Sequence, residues 1–514
     1  MDFRIGAAIG AALFAWQAAG PGLAQDVELR SLDGSVELEG DLLSYDGAFY
    51  RLETIYGPLT VSAENVSCLG PGCPDLATFV TEARIAGAAT VAEGLIPALL
   101  AAFADSRGMT LDVDGAAYTL RRPNGSPAAR FTVLPGTTDD GLLALLNDEA
   151  DVALARREPT PGESRAAELL SPDDPPLDDR VRVLALDALV PIVSPENPID
   201  GVSLPDLARL FSGELRNWQD LGGPDAPIAL HLLSPGLGLS QDFTARVLQP
   251  SSAVLSDSVA RHDSAASLAA AVTGDAYAIG VTTRAGIGGA RAVPLVGTCG
   301  FPQSATADAV KAEDYPLTAP VLMYLAPQRL PLLVREFLAF TDTEEAERQV
   351  RLAGFVDQTL TRTPVALQGE RLANAIRAGG EDVELEDLQD MIEVLGQAER
   401  LSTTFRFTAG GAELDVQSRS SALRLAAAVE RGAFDGRRLI FAGFSDGMGP
   451  SAVNTRLSLR RAEAVRDAVF AAMDAAAPDR VEMETHGFGE VMPMACDDTD
   501  WGRAVNRRVE VWLD

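Results

Sequence analysis

A single lysine, Lys311, three histidines and four cysteines are all that 514 residues hold of these types. None of His231, His262 and His486 has a second ligand at metal-site spacing, so each is read as an ordinary polar or core residue. The Gly-rich stretch SPGLGLSQDF around Ser240 lacks both the Gly-Lys-Ser/Thr ending of a nucleotide loop and the G-x-S-x-G of a nucleophile elbow. The acidic run EDVELEDLQD, residues 381 to 390, lacks the loop spacing of a calcium site and reads as a solvated helix face. Catalysis, metals and cofactors are therefore not expected. Positive charge is scarce too. With 42 basic against 74 acidic residues the net charge is −32, and a phosphate backbone would be repelled over most of the surface, which excludes a nucleic-acid partner. Beyond the N-terminus no run reaches the about eighteen unbroken apolar residues of a membrane span.

What is present is globular: 47% hydrophobic and 23% charged residues, in a chain too long for one core. An α/β multidomain architecture is expected. Residues 1–24 read as a secretory signal peptide, with Arg4, an apolar run from Ile5 to about Ala19 and small residues before Gln25. The run is short for a membrane anchor, and the mature chain is expected in the periplasm. Residues 26–75 alternate in short runs broken at Asp33-Gly34, Asp46-Gly47 and Gly57-Pro58, the pattern of a small β-meander. Cys68 and Cys73 in CLGPGC are spaced to close a loop beside it. If Cys299 and Cys496 also pair, the last domain is tied to the middle one, although sequence does not choose among the three connectivities. Strands alternate with helices over 80–357, residues 358–400 read as a linker with short acidic helices, and a smaller βαβαβ unit fills 401–514.

In that last unit an apolar strand, RRLIFAGF, ends just before Asp446, and a helix comes next. Asn454, Leu457, Ser458, Arg461 and Val465 fall at i, i+3, i+4, i+7 and i+11, one helical face. A carboxylate at the turn and a guanidinium two turns into the helix suit a zwitterion, one group for each of its charges. SDGMGPSAVNTRLSLRRAEAV with GFGEVMPMACDDTDWGRAVNRRVEV resembles the peptidoglycan-binding domain of the OmpA-like family. The resemblance implies that Asp446 and Arg461 hold the free amino-acid end of diaminopimelate in the wall stem peptide. It also implies that Asn454 and Leu457 line the site and that the arginines of the closing motif, Arg503, Arg507 and Arg508, support the site or the fold, with Arg508 taken as a binding residue. Phe444-Ser445 stands where many members carry His-Thr.

The middle region is similar to the phosphate-type substrate-binding proteins of ABC importers, through FSGELRNWQDLGG, AYAIGV and YPLTAPVLMYLA. That resemblance implies a two-lobed periplasmic-binding-protein type II fold with a cleft for a small anion or other solute, and a transporter or other envelope partner. The usual oxyanion ligands are mostly replaced. Gly87-Ala88-Ala89-Thr90 keeps one hydroxyl, Ala155-Arg156 stands for Ser-Asp, and Gly236-Leu237-Gly238-Leu239 stands for Gly-Ser-Gly-Thr. Thr90, Arg156 and Gly238 are the remaining cleft candidates. Leucines offer a phosphate no hydrogen bonds, so a different ligand or a ligand-free scaffold is expected ahead of tight phosphate binding.

Overall fold

The structure is a computed structural model and describes residues 26–76, 78–297, 302–378, 383–407, 413–473, 480–497 and 499–514. The segment read as a signal peptide, and Cys299, lie outside the described residues. Two compact units result: one from the residues up to Thr81 with Pro331–Leu333, the other from the remainder.

In the first unit β1 (Asp26–Ser31), β2 (Glu37–Tyr45), β3 (Phe49–Thr54), β4 (Gly57–Ser62) and β5 (Val66–Leu69) form one antiparallel sheet, ordered β4-β3-β2-β1-β5. Its core is small: Val27, Leu29, Tyr50 and Leu52, with both cysteines packed against it. The two Asp-Gly turns fall where the sequence places them. The third turn lies at Ile55-Tyr56 instead, and Gly57-Pro58 opens β4. Pro58 is tolerated there because β4 is an edge strand, where the missing N–H faces no partner on one side. Cys68 and Cys73 are disulfide-bonded with Cα atoms 5.7 Å apart, as the CLGPGC spacing predicts.

The second unit opens with β6 (Thr81–Ala88), α1 (Ala89–Gly94), α2 (Ile96–Ser106), β7 (Thr110–Asp114), β8 (Ala117–Arg121), β9 (Pro127–Gly136), α3 (Thr138–Leu146), β10 (Val152–Ala155) and α4 (Pro161–Leu170). A long strand, β11 (Val181–Val193), then leads into α5 (Leu204–Phe211), β12 (Ala229–Leu233), α6 (Leu239–Phe243), β13 (Ala260–His262), α7 (Ala265–Thr273), β14 (Ala278–Thr283), β15 (Arg291–Ala292) and α8 (Ala307–Lys311). The return strand β16 (Thr318–Leu325) is followed by α9 (Leu332–Phe340) and α10 (Glu344–Leu352). The strands make one continuous sheet ordered β13-β12-β14-β11-β16-β10-β6-β9-β8-β7, with β15 on β11. β11 and β16 are the crossovers. β11 pairs with β16 over Val181–Ala188 and with β14 over Leu189–Val193, so two lobes share it. Gly87 has φ +122°, and a Cβ there would strike the Leu154 carbonyl, which lets β6 turn into α1 directly beside β10. The stretch Ala89–Ser106 is long and apolar enough to cross a membrane, yet 56% of it is buried, with Leu99, Leu100 and Phe103 wholly enclosed.

The chain continues through β17 (Arg362–Pro364), α11 (Gly369–Ala378), α12 (Leu385–Leu395), β18 (Glu399–Phe405), α13 (Val416–Glu430), β19 (Arg438–Phe444), α14 (Ser451–Ala471), β20 (Glu482–Gly487), α15 (Asp500–Asn506) and β21 (Arg508–Leu513). The sheet order is β17-β18-β21-β19-β20. Leu425, Val429, Ala462 and Val465 of α13 and α14 bury one face of this sheet. Ala375, Met391 and Leu395 of α11 and α12 cover the other, against Ile440, Ala442 and Trp512. The stretch read as a linker thus supplies a strand and a third layer. Its apolar residues at three-to-four spacing, Leu388, Met391 and Leu395, decide this despite the acids between them.

Candidate functional site

α14 approaches the sheet closely because two strand glycines admit it. A Cβ at Gly443 would meet the Ser458 carbonyl, and one at Gly487 would lie 2.5 Å from the Leu459 nitrogen. Ser458 is wholly buried; its hydroxyl donates to the Thr455 carbonyl at 2.9 Å and accepts from the Gly489 N–H at 3.0 Å. This fixes the helix face that carries Asn454, Leu457 and Arg461. Asn454 is buried and donates to Glu490 Oε2 at 2.6 Å, while Leu457 is half-buried.

Asp446 leaves the end of β19 as expected. Its Oδ2 accepts from Arg507 Nη1 at 2.7 Å, and its Oδ1 from the Met448 N–H at 3.3 Å. Arg461 lies close enough to feel both charges but pairs with neither. It is 9% exposed, its Nη1 has no hydrogen-bond partner among the described residues, and its guanidinium sits 5.2 Å from the centre of the Phe407 ring. Burial pulls the pKa of Arg461 down, Arg507 adds to this, and Asp446 opposes it. A buried guanidinium with an idle N–H beside a carboxylate held by a different arginine is a site poised for an anion and a cation together.

Arg508 is not part of that face. It is wholly buried, with Nε on Glu510 Oε1 at 2.7 Å, Nη2 on the Met492 carbonyl at 2.9 Å and its guanidinium 4.3 Å from the Phe444 ring centre. Glu510 also contacts Arg371 and Arg400; burial works against its charge, but the three arginines hold its carboxyl well below the usual range. The expectation for Arg508 is corrected: it is a core residue, and its neighbour Arg507 reaches the site. The loop 490–497 supports the same corner, with Asp497 Oδ2 accepting from the Gly447 N–H at 2.7 Å. Glu490 and Asp497 carried no signal in the sequence, because each acts through the fold, whereas Arg507 lay within the closing motif beside the arginine chosen from it.

The cleft candidates behave differently. Arg156, directly after β10, is 1% exposed, with Nη1 on Asp187 Oδ2 at 2.8 Å and Nε on Asp242 Oδ2 at 2.7 Å. Asp187 belongs to β11 and Asp242 to α6, so one guanidinium ties the first lobe to the crossover and to the second lobe. Its Nη2 and the Thr90 hydroxyl are buried without partners among the described residues. Gly238, with φ +81°, precedes α6 with its Cβ position 3.9 Å from the Thr137 Cα, so a first-lobe backbone lies directly opposite. Leu239 is wholly buried. Arg157, by contrast, pairs with Glu163 at 2.8 Å and Asp139 at 2.5 Å nearer the surface.

The C-terminal layers dock on both lobes. Arg424 pairs with Glu347 at 2.8 Å, and the Val416 N–H donates to Glu158 at 3.1 Å. Arg400 pairs with Asp314 at 2.5 Å, Arg406 Nη2 donates to the Glu313 carbonyl at 2.7 Å, and Gln303 donates to the Met494 carbonyl at 3.0 Å. Cys496 in the same loop is disulfide-bonded. Among the described residues no group of three or more His, Cys, Asp and Glu is placed to hold a metal.

Comparison with known proteins fits this division. Residues 76–345 match the PBP superfamily domain, and residues 406–507 match the OmpA family. Outer membrane porin F of Pseudomonas fluorescens is 46% identical over 73 residues, 14% of this chain and 21% of that protein. The phosphate-binding protein PstS of Borreliella burgdorferi is 48% identical over 46 residues, 9% of this chain and 16% of that protein. The chain therefore spans about a fifth, or less, of the length of these curated relatives. An ABC-type phosphate transport receptor from Vibrio cholerae aligns with 53% of this chain and 99% of its own, at 20% identity and a TM-score of 0.41. By the match over more than half its length the chain belongs to the PBP superfamily, and it carries an OmpA-family domain behind the two lobes.

Proposed function

We propose that this is a non-enzymatic protein of the bacterial envelope, exported and held to peptidoglycan by its C-terminal domain, with the two-lobed domain carried close to the wall. The observation that supports the anchoring reading is the buried Arg461, whose Nη1 has no partner among the described residues, beside the Asp446–Arg507 pair. In this reading the free end of diaminopimelate places its carboxylate on Arg461 and its ammonium on Asp446, with Phe407 flanking the guanidinium. Calorimetric titration with soluble muropeptides tests it. A fragment with diaminopimelate should bind, and one with lysine at the same position, which lacks the distal carboxylate, should bind at least about tenfold more weakly, the ~1.4 kcal/mol of one charged hydrogen bond. Equal affinity for the two fragments rules the reading out.

For the two lobes, the buried Arg156–Asp187–Asp242 set favours a closed scaffold over a phosphate receptor. The Arg156 guanidinium is already engaged by two carboxylates, and a phosphate would have to displace one of them while facing leucine. Inorganic phosphate at millimolar concentration is expected to leave the melting temperature unchanged. A rise that scales with the logarithm of phosphate concentration would restore the alternative, an importer receptor with the wall domain as tether.

A further inference from the structure

The 514 residues hold three histidines, and the fold brings two of them together across 31 positions of sequence. His231 lies in the middle of β12 and His262 ends β13. The two strands are parallel, with His231 beside Ala260 and Leu233 beside His262, so the histidines are diagonal neighbours on one face. Nδ1 of His231 and Nε2 of His262 are 2.9 Å apart, with the ring planes tilted by 31°. Both residues are half-buried, and β13 is the last strand at that edge of the sheet, so solvent reaches the pair. Among the described residues neither ring makes another hydrogen bond. Arg261, between them in the chain, is turned to the other face by strand alternation and is engaged by the Leu233 carbonyl and the Ser240 hydroxyl, both at 3.0 Å.

A neutral imidazole has one N–H and one lone pair, so this contact places a single proton between two nitrogens that both bind metals well. Two nitrogens held at about 2.0 Å from one ion stand roughly 2.8 Å apart at a right angle and roughly 3.3 Å apart at the tetrahedral angle. The observed 2.9 Å falls in that span, so an ion is admitted by ring rotation with the strands where they are. The shared proton moves to the outer nitrogen of the ring that carried it, and both rings stay neutral. The carboxylate of Asp275, just after α7, acts on His231, and the net charge of −32 draws cations to the surface. Hard ions such as Mg²⁺ and Ca²⁺ need a set of oxygens. Imidazole pairs suit Cu²⁺, Ni²⁺ and Zn²⁺, and Cu²⁺ binds tightest of these.

We propose that His231 and His262 form a binding site for a divalent transition-metal ion, Cu²⁺ most tightly, held by Nδ1 of one ring and Nε2 of the other with water in the remaining positions. Two protein ligands make this an exchangeable surface site rather than a structural one. It belongs to the second lobe and depends neither on wall anchoring nor on a ligand in the cleft.

The test is titration of the full chain with Cu²⁺, followed by electron paramagnetic resonance. One equivalent should bind with hyperfine coupling from two imidazole nitrogens. Ni²⁺ and Zn²⁺ should compete for the site, and Mg²⁺ and Ca²⁺ at millimolar concentration should not. His231→Gln and His262→Gln should each weaken Cu²⁺ binding at least about tenfold, and His486→Gln, in the other sheet, should bind as wild type. The wild-type spectrum decides the matter if a variant does not fold. Coupling from one nitrogen or none, Cu²⁺ binding unchanged when both His231 and His262 are replaced, or an equal loss in His486→Gln overturns the proposal.

Discussion

At the scale of single residues, neighbours in sequence have opposite roles. Arg507 closes α15 and reaches Asp446, whereas Arg508 opens β21, pairs in register with Phe444 and is enclosed. Replacing Arg507 with Ala is expected to weaken muropeptide binding roughly tenfold, the ~1.4 kcal/mol of one charged contact, with little change in melting temperature. Replacing Arg508 with Met should do the reverse, costing about 3 kcal/mol of stability as Glu510 loses a buried partner, while the folded fraction binds as wild type. Calorimetry and thermal melts on the two variants separate these outcomes. Asp446, Asn454 and Arg461 were legible because a turn and a helical period fix their relation locally. Which of two adjacent arginines points inward was not, because successive residues entering a strand face opposite sides and only the register decides.

At the scale of elements, the alternation of strands and helices and the Asp-Gly hairpins were readable, since each is set by residues within a few positions. The acidic helices over 358–400 were not recognised as a packed layer. Their charge outweighed, to the eye, the few apolar positions that meet Ile440 and Trp512. The interlobe set was beyond reach for a different reason: Arg156 finds its partners 31 and 86 residues away. Those contacts make a prediction. Arg156→Gln leaves Asp187 and Asp242 buried without their cation and should destabilise the chain by about 3–5 kcal/mol, read as a lower urea midpoint. A midpoint within error of wild type would mean that the lobes are not held by this pair.

At the scale of the whole second unit, docking of the C-terminal layers on both lobes rests on charge. Glu313, in left-handed conformation at φ +54°, sits against Arg406 with its side chain 15% exposed. Burial first, then Asp415 and Asp314, push its carboxyl up to about 8, against Arg406 and Arg246. Between the ordinary glutamate value of 4.5 and about 8 the folded protein keeps a proton that the unfolded chain has released, so this group's contribution falls as pH rises through that window and levels off above it. Glu313→Gln should therefore raise the melting temperature relative to wild type above pH 8 and make little difference near pH 4.5. In the sequence only the pairing of Cys299 with Cys496 pointed to this docking; its charged contacts were not visible, because Arg400 and Arg406 reach across 86 and 93 residues to Asp314 and Glu313. With the layers docked in this way, the proposed wall anchor at one end would hold the lobes in place as well. The most direct measurement of that anchoring is co-sedimentation of the full chain with purified sacculi. Wild type should pellet, and Asp446→Ala and Arg461→Ala should each stay in the supernatant, since removing one member of a charged grip costs about 2–5 kcal/mol. Pelleting of both variants to the wild-type extent would contradict the account.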